Sequence, residues 1–90
     1  MVTKKLFIHG RVQGVFFRNY AAGKARQLGI NGFVRNLSDG STVEVVAQGP
    51  EDNIKEFINL LKEGPPDALV ESTHIEQLDN APEFNSYSIR

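Results

Sequence analysis

The sequence predicts an α+β fold, in which two helices cover one face of an antiparallel β-sheet. Hydrophobic residues alternate in several short segments, as in strands, and recur every three to four residues in two longer segments, as in helices. These segments follow one another in the order strand, helix, strand, strand, helix, strand. With 90 residues, 40% of them hydrophobic, the chain is long enough for one two-layer domain spanning residues 1–90.

The first part of this order is a strand, a glycine-containing loop and a helix. Residues 4–9, KKLFIH, alternate and are rich in strand-forming residues, which predicts strand one. From Phe17 the spacing becomes helical, and Gly29 stands where a helix-terminating glycine belongs. The hydrophobic stripe of this helix consists of Phe17, Tyr20, Ala21, Ala25 and Leu28.

The middle of the chain reads as a β-hairpin. Residues 31–36, NGFVRN, predict strand two, and residues 41–48, STVEVVAQ, predict strand three. Between them, the Asp-Gly pair at 39–40 is a turn signal. Two strands joined by so short a turn form a hairpin.

The second helix and the last strands complete the fold. Pro50 suits a helix start, and Gly64 with Pro65 ends the helical pattern. Residues 68–78 predict strand four, and the alternating residues 84–90 predict a short further strand at the C-terminal end. The βαββαβ order is that of the ferredoxin-like two-layer sandwich, with both helices on one face of the sheet.

Composition and charge argue against several classes of protein. There is no cysteine, and His9 and His74 are far apart in sequence, each without an obvious acid, nucleophile or metal partner, so we expect ordinary strand histidines and no metal centre. The net charge of -1 argues against a dedicated nucleic-acid binder. Because no segment resembles a signal peptide or a membrane span, we expect a cytoplasmic protein. Separately, we expect a monomer.

Crossover geometry predicts that Arg18 and Asn36 lie at the same end of the molecule. The helix over residues 17–28 must run back along strand one, and the strand over residues 31–36 must then return. The helix rises by about 1.5 Å per residue and the strand by about 3.3 Å, so both travel roughly 20 Å. The start of the helix therefore meets the end of strand two.

At that end the residues are suited to an anion. The first N–H groups of a helix have no intrahelical partner and carry partial positive charge. Gly14 permits close approach of the loop backbone, Arg18 adds donors that match phosphate oxygens, and the Asn36 amide both donates and accepts. Residues 10–18 therefore predict an anion-binding loop.

Each of these residues also has an ordinary structural interpretation. Arg18 is equally consistent with a solvated or salt-bridged arginine, Asn36 with a turn or capping residue, and Phe16 and Phe17 with core or pocket walls. Spacing alone thus leaves open the alternative that the protein is a binding module, which holds an anion such as phosphate but catalyses no reaction. RNA binding would rest on the topology alone, since the aromatic pair that stacks bases in such domains is not evident.

The combination of motifs is more specific than its parts. GRVQGVFFR at 10–18, followed by GFVRNLSDGSTVEVVAQGP at 32–50, closely resembles the small acylphosphatases, and the resemblance extends to YSIR at 87–90. It implies a hydrolase, free of metal and cofactor, that cleaves the carboxyl–phosphate bond of small-molecule acyl phosphates. A related domain in larger carbamoyl-transfer maturation proteins is the alternative. The small chain also predicts a shallow pocket with loose discrimination on the acyl side.

The resemblance also implies roles for individual residues. Arg18 and Asn36 match the family's catalytic arginine and asparagine. The phosphate-binding loop matches Gln13, Gly14, Val15, Phe16, Phe17 and Arg18. One departure is Leu37, where several relatives have a hydroxyl residue directly after the asparagine. We expect this change to alter hydrogen bonding near Asn36 and to leave the main roles intact.

Overall fold

A computed structural model describes all 90 residues, and it contains the predicted α+β, ferredoxin-like βαββαβ order. The elements are β1 (Val2–Arg11), α1 (Phe17–Gln27), β2 (Asn31–Asn36), β3 (Thr42–Gly49), α2 (Glu51–Glu63), β4 (Leu69–Gln77) and β5 (Tyr87–Ile89). The predicted elements are confirmed, with most ends displaced by one or two residues. The last strand is shorter than the alternation at 84–90 predicts, because only its final residues reach the sheet.

The five strands form one sheet in the order β4-β1-β3-β2-β5. The first four strands pair antiparallel, as predicted, but β5 pairs in parallel with β2, placing Tyr87 opposite Gly32. The chain leaves β4 at one edge of the sheet and crosses to β5 at the other edge. On the way it contacts β3, where the side chain of Gln48 donates to the carbonyl of Pro82 and accepts from the N–H of Phe84. A strand that arrives by such a crossing is not bound to the antiparallel direction of a hairpin.

The hydrophobic core lies between the two helices and one face of the sheet. Alternation along β3 places Val43, Val45 and Ala47 on this face. The helices contribute the buried side chains of Phe17, Ala21, Ala22, Ala25, Ile54, Phe57 and Leu61. Burying one large apolar side chain stabilises the fold by about 1.5–3 kcal/mol. Because Phe17 is the first residue of α1 and only 1% exposed, its burial fixes the start of that helix against the sheet.

Gly32 is required where β2 lies against β3. Its φ is +139°, and a Cβ built there would lie 2.1 Å from the carbonyl oxygen of Val46. That oxygen belongs to the backbone of the central part of the sheet and has no room to move. Gly23, on the exposed side of α1, would place a Cβ in open space at a φ that any residue adopts.

We therefore expect opposite effects from two alanine substitutions. Gly32→Ala should lower the free energy of unfolding by roughly 2 kcal/mol or more, because it combines backbone strain with a steric clash. Gly23→Ala should raise it by roughly 0.5–1 kcal/mol, because alanine restricts the unfolded chain and favours helix. Urea unfolding of both variants beside the wild type measures the two changes in the free energy of unfolding. Equal changes would contradict the requirement for glycine at position 32.

Candidate active site

The loop between β1 and α1 presents a row of unpaired backbone donors. Gly14 and Phe16 have positive φ values of 71° and 62°, and such left-handed residues within a turn produce a concave array of N–H groups. None of the N–H groups from Gly14 to Asn19 donates to a backbone oxygen; the first helical bond runs from the N–H of Tyr20 to Phe16. No side chain caps this helix. The array is therefore available to an anion.

Arg18 is the second residue of α1 and extends this array. Its Nη1 donates to the backbone oxygen of Arg90 at 3.0 Å, which holds the guanidinium beside the end of β5. The first turn of α1 contains no acidic residue. The helix dipole disfavours a cation at a helix N-terminus, so the charge of Arg18 does not stabilise α1.

Asn36, the last residue of β2, brings an unpaired acceptor to the same place. Its Oδ1 is buried and has no hydrogen-bond partner, and it is the only buried side-chain nitrogen or oxygen of which this is true. Leaving such an atom unsatisfied costs about 1–3 kcal/mol. An acceptor in this state is suited to a hydrogen bond from a water molecule or a ligand.

These groups meet in a cavity of about 350 Å³. It is lined by Val12, Gly14, Phe16, Phe17, Arg18, Asn19, Asn36 and Ile89. No acidic side chain lines it, and Arg18 is its one charged side chain. The structure thus brings Arg18 and Asn36 to one cavity, as the crossover geometry predicts, while their roles in catalysis stay predictions.

Two members of the predicted loop have side chains outside the cavity. Val15 is buried in the core. The side-chain amide of Gln13 donates to the carbonyls of Leu37 at 2.8 Å and Thr42 at 2.9 Å. Gln13 therefore ties the anion-binding loop to the hairpin that carries Asn36. The predicted contribution of Gln13 and Val15 to phosphate binding would come from their backbone N–H groups.

The turn that follows Asn36 is fixed by Asp39. One carboxylate oxygen accepts from the N–H groups of Ser41 and Thr42, both at 2.9 Å, and the other accepts from the Thr42 hydroxyl at 2.5 Å. The hydroxyl of Thr42 also lies 2.7 Å from Nδ1 of His9, which donates to it because the hydroxyl proton is used on Asp39. His9 lies in β1, as the sequence predicts, and this hydrogen bond links it to the turn.

The remaining cavity residues were missed by sequence analysis. Val12 and Asn19 flank the predicted phosphate-binding residues 13–18 and line the cavity. Ile89 comes from β5, whose parallel pairing no local pattern signals.

No helix is long and apolar enough to cross a bilayer. No three side chains of the metal-binding types lie close enough together to hold an ion.

The hydrogen bonds of Asp39 predict a pH-dependent stability. The Thr42 hydroxyl, followed by the Ser41 N–H, holds the pKa of Asp39 below its ordinary value. A lowered carboxyl pKa contributes stability that is fully present above the unfolded-state pKa and is lost as the pH falls through the folded-state pKa. The wild type should therefore exceed Asp39→Asn in stability at neutral pH, and this difference should vanish in acid.

Urea unfolding of both proteins from about pH 7 to about pH 3 checks this expectation. Asp67→Asn is the control, because Asp67 is exposed and makes no hydrogen bond or ion pair in the structure. A difference between wild type and Asp39→Asn that stayed constant over the whole range would contradict the role of the charge.

Comparison with known proteins points to one family. The acylphosphatase family model matches residues 4–89. The chain is similar to the acylphosphatase of Caldivirga maquilingensis, with 44% identity over 89 residues that cover 99% of this chain and 94% of that protein.

Solved structures give the same result. The crystal structure of acylphosphatase from Bacillus subtilis is similar with a TM-score of 0.96 and 31% identity, covering 100% of this chain and 99% of that one. An acylphosphatase structure from Coxiella burnetii has a TM-score of 0.92 and 36% identity, covering 99% and 92%. The chain therefore belongs to the acylphosphatase family and is an enzyme of that class.

Proposed function

We propose that the protein hydrolyses the carboxyl–phosphate bond of acyl phosphates by in-line attack of a water molecule that Asn36 orients, while Arg18 and the loop N–H groups hold the phosphoryl group. The products are a carboxylate and inorganic phosphate. The observation that carries the proposal is that unpaired N–H donors, the Arg18 guanidinium and Asn36, whose buried Oδ1 has no partner, meet at one cavity without an acidic side chain.

The phosphoryl oxygens are bound by the loop and Arg18. The concave row of N–H groups from Gly14 to Asn19 supplies donors in fixed positions. The guanidinium of Arg18, oriented by its bond to Arg90, supplies a planar fork that matches two phosphoryl oxygens. Together they stabilise the negative charge that spreads over these oxygens as the bond to the leaving group breaks.

The leaving group needs no proton from the protein. An acyl phosphate releases a carboxylate, whose conjugate acid has a pKa of about 4 in side-chain analogues, so it departs readily as an anion. This property fits a cavity whose walls carry neither a carboxylic acid nor a histidine. Catalysis then rests on positioning and on charge stabilisation.

Asn36 positions the nucleophile. Its unpaired Oδ1 accepts a hydrogen bond from the attacking water and directs the water's lone pair toward phosphorus, while its amide nitrogen donates to a phosphoryl oxygen. A bond forms between the water oxygen and phosphorus as the bond to the bridging oxygen breaks, and that electron pair leaves with the carboxylate. The proton of the water passes to a phosphoryl oxygen, since no base lines the cavity.

The arginine role predicts a large loss of activity on substitution. Both Arg18→Ala and Arg18→Lys should lower kcat/KM for acetyl phosphate by roughly 10³-fold, because lysine restores a charge but not the planar fork. Arg11→Ala is the matched control, since Arg11 is an exposed arginine near the loop and does not line the cavity. Near wild-type turnover in both Arg18 variants would exclude the proposed role.

The asparagine role predicts that turnover and stability respond differently. Asn36→Ala should lower kcat by about 10²-fold or more, because the water loses its orientation, and should change the inhibition constant of inorganic phosphate far less. The free energy of unfolding should stay the same or rise, because the substitution removes an unsatisfied buried oxygen. Steady-state kinetics with phosphate inhibition, beside urea unfolding, measures all three quantities.

Equal losses of turnover and phosphate affinity in Asn36→Ala would make Asn36 a binding residue. A marked loss of stability would make it a structural one. Either outcome would contradict its proposed role in orienting water.

A further inference from the structure

We infer that the side chains of Phe16 and Ile89 form an acyl subsite, which makes the enzyme selective for acyl phosphates with an apolar acyl group, aromatic or branched. The inference rests on the proposed function and concerns the other half of the same substrate. It differs from the loose acyl discrimination that chain size alone predicts.

The cavity is larger than a phosphoryl group requires. A phosphate has five non-hydrogen atoms, and even at the roughly 30 Å³ that each molecule occupies in liquid water they would fill no more than about 150 Å³. The cavity has a volume of about 350 Å³. More than half of it is therefore open to a further group, and the acyl carbon of an acyl phosphate lies only one bridging oxygen away from phosphorus.

Phe16 is placed at this cavity at a cost that the fold does not require. Its side chain is 78% exposed, whereas the neighbouring Phe17 is 1% exposed and fills the core. Its φ of 62° and ψ of 24° lie in the left-handed region, which asparagine and glycine adopt more easily than phenylalanine. A polar residue would suit both the backbone and the solvent better, so core packing does not explain the ring.

Ile89, from β5, also lines the cavity and is 40% exposed. It precedes Arg90, whose backbone oxygen accepts from the Arg18 guanidinium, so it is adjacent to the group that holds the phosphoryl oxygens. Val12 and Phe17, each 1% exposed, complete the apolar lining as its buried floor. An acyl group attached to the phosphoryl group thus shares the cavity with two exposed apolar side chains.

The chemistry of this wall sets the selectivity. The side chains of Phe16, Ile89, Val12 and Phe17 offer no hydrogen-bond donor or acceptor to a polar acyl group. An apolar acyl group gains by removing their exposed surface from water, and an aromatic ring gains further from contact with the Phe16 ring. A small acyl group such as acetyl reaches little of this surface.

The test compares hydrolysis of benzoyl phosphate and acetyl phosphate by four proteins. These are the wild type, Ile89→Ala, Phe16→Asn and the control Ile75→Ala. Ile75 is 39% exposed, closely matching Ile89, but it lies on β4 at the opposite edge of the sheet. Asparagine at position 16 tolerates the positive φ and removes the ring.

The wild type should favour benzoyl phosphate in kcat/KM. Ile89→Ala and Phe16→Asn should each lower the ratio of benzoyl to acetyl kcat/KM by roughly 3- to 10-fold, the order of effect of one aromatic or apolar contact. Ile75→Ala should leave the ratio unchanged. Inhibition by inorganic phosphate should be the same in wild type and Ile89→Ala, because phosphate has no acyl group to contact the acyl subsite.

Two contrary results are distinguishable. Hydrolysis of both substrates with an unchanged ratio in Ile89→Ala would overturn the acyl subsite and leave the proposed function in place. If Phe16→Asn disturbs the loop and lowers both activities, the ratio of benzoyl to acetyl kcat/KM in Ile89→Ala still tests the acyl subsite. Failure of the wild type to hydrolyse either substrate would overturn the proposed function, and the subsite with it.

Discussion

The first helix begins without a cap, and the active site depends on this feature. Phe16 occupies the capping position, and no side chain accepts from the N–H groups between Gly14 and Asn19. An ordinary cap would stabilise the helix by about 1 kcal/mol. The fold instead holds the helix start by burying Phe17 and by tying the loop to the hairpin through Gln13. The donors stay unpaired and in fixed positions, as the binding of an anion requires.

Asn36, on β2, likewise keeps a polar group unpaired at the cavity. Asn36 carries the only unsatisfied buried side-chain atom in the structure, and the hydrogen bonds of Asp39 to Ser41 and Thr42 fix the turn that follows it. Neither the uncapped start of α1 nor the unpaired Asn36 oxygen is optimised for the stability of the unliganded protein. Functional sites commonly retain such costs, because satisfying these groups within the fold would remove them from the chemistry.

The sequence predicts the parts of this structure that depend on local patterns. The bounds of β2 and the meeting of Arg18 with Asn36 follow from periodicity and element length. The parallel pairing of β5, and with it the position of Ile89, depends on a crossing that no local pattern encodes. The partners of Gln13 are backbone carbonyls 24 and 29 residues away, which carry no signature of residue type.

The most direct test of the unpaired donors is an NMR titration of the backbone amides with inorganic phosphate. The amide protons from Gly14 to Asn19 should shift together and saturably, because they receive new hydrogen bonds to the anion. The amide of Gly29, beyond the far end of α1, should stay unchanged. Saturable shifts confined to other parts of the chain, or no shifts at all, would contradict the assignment of the loop as the phosphoryl site.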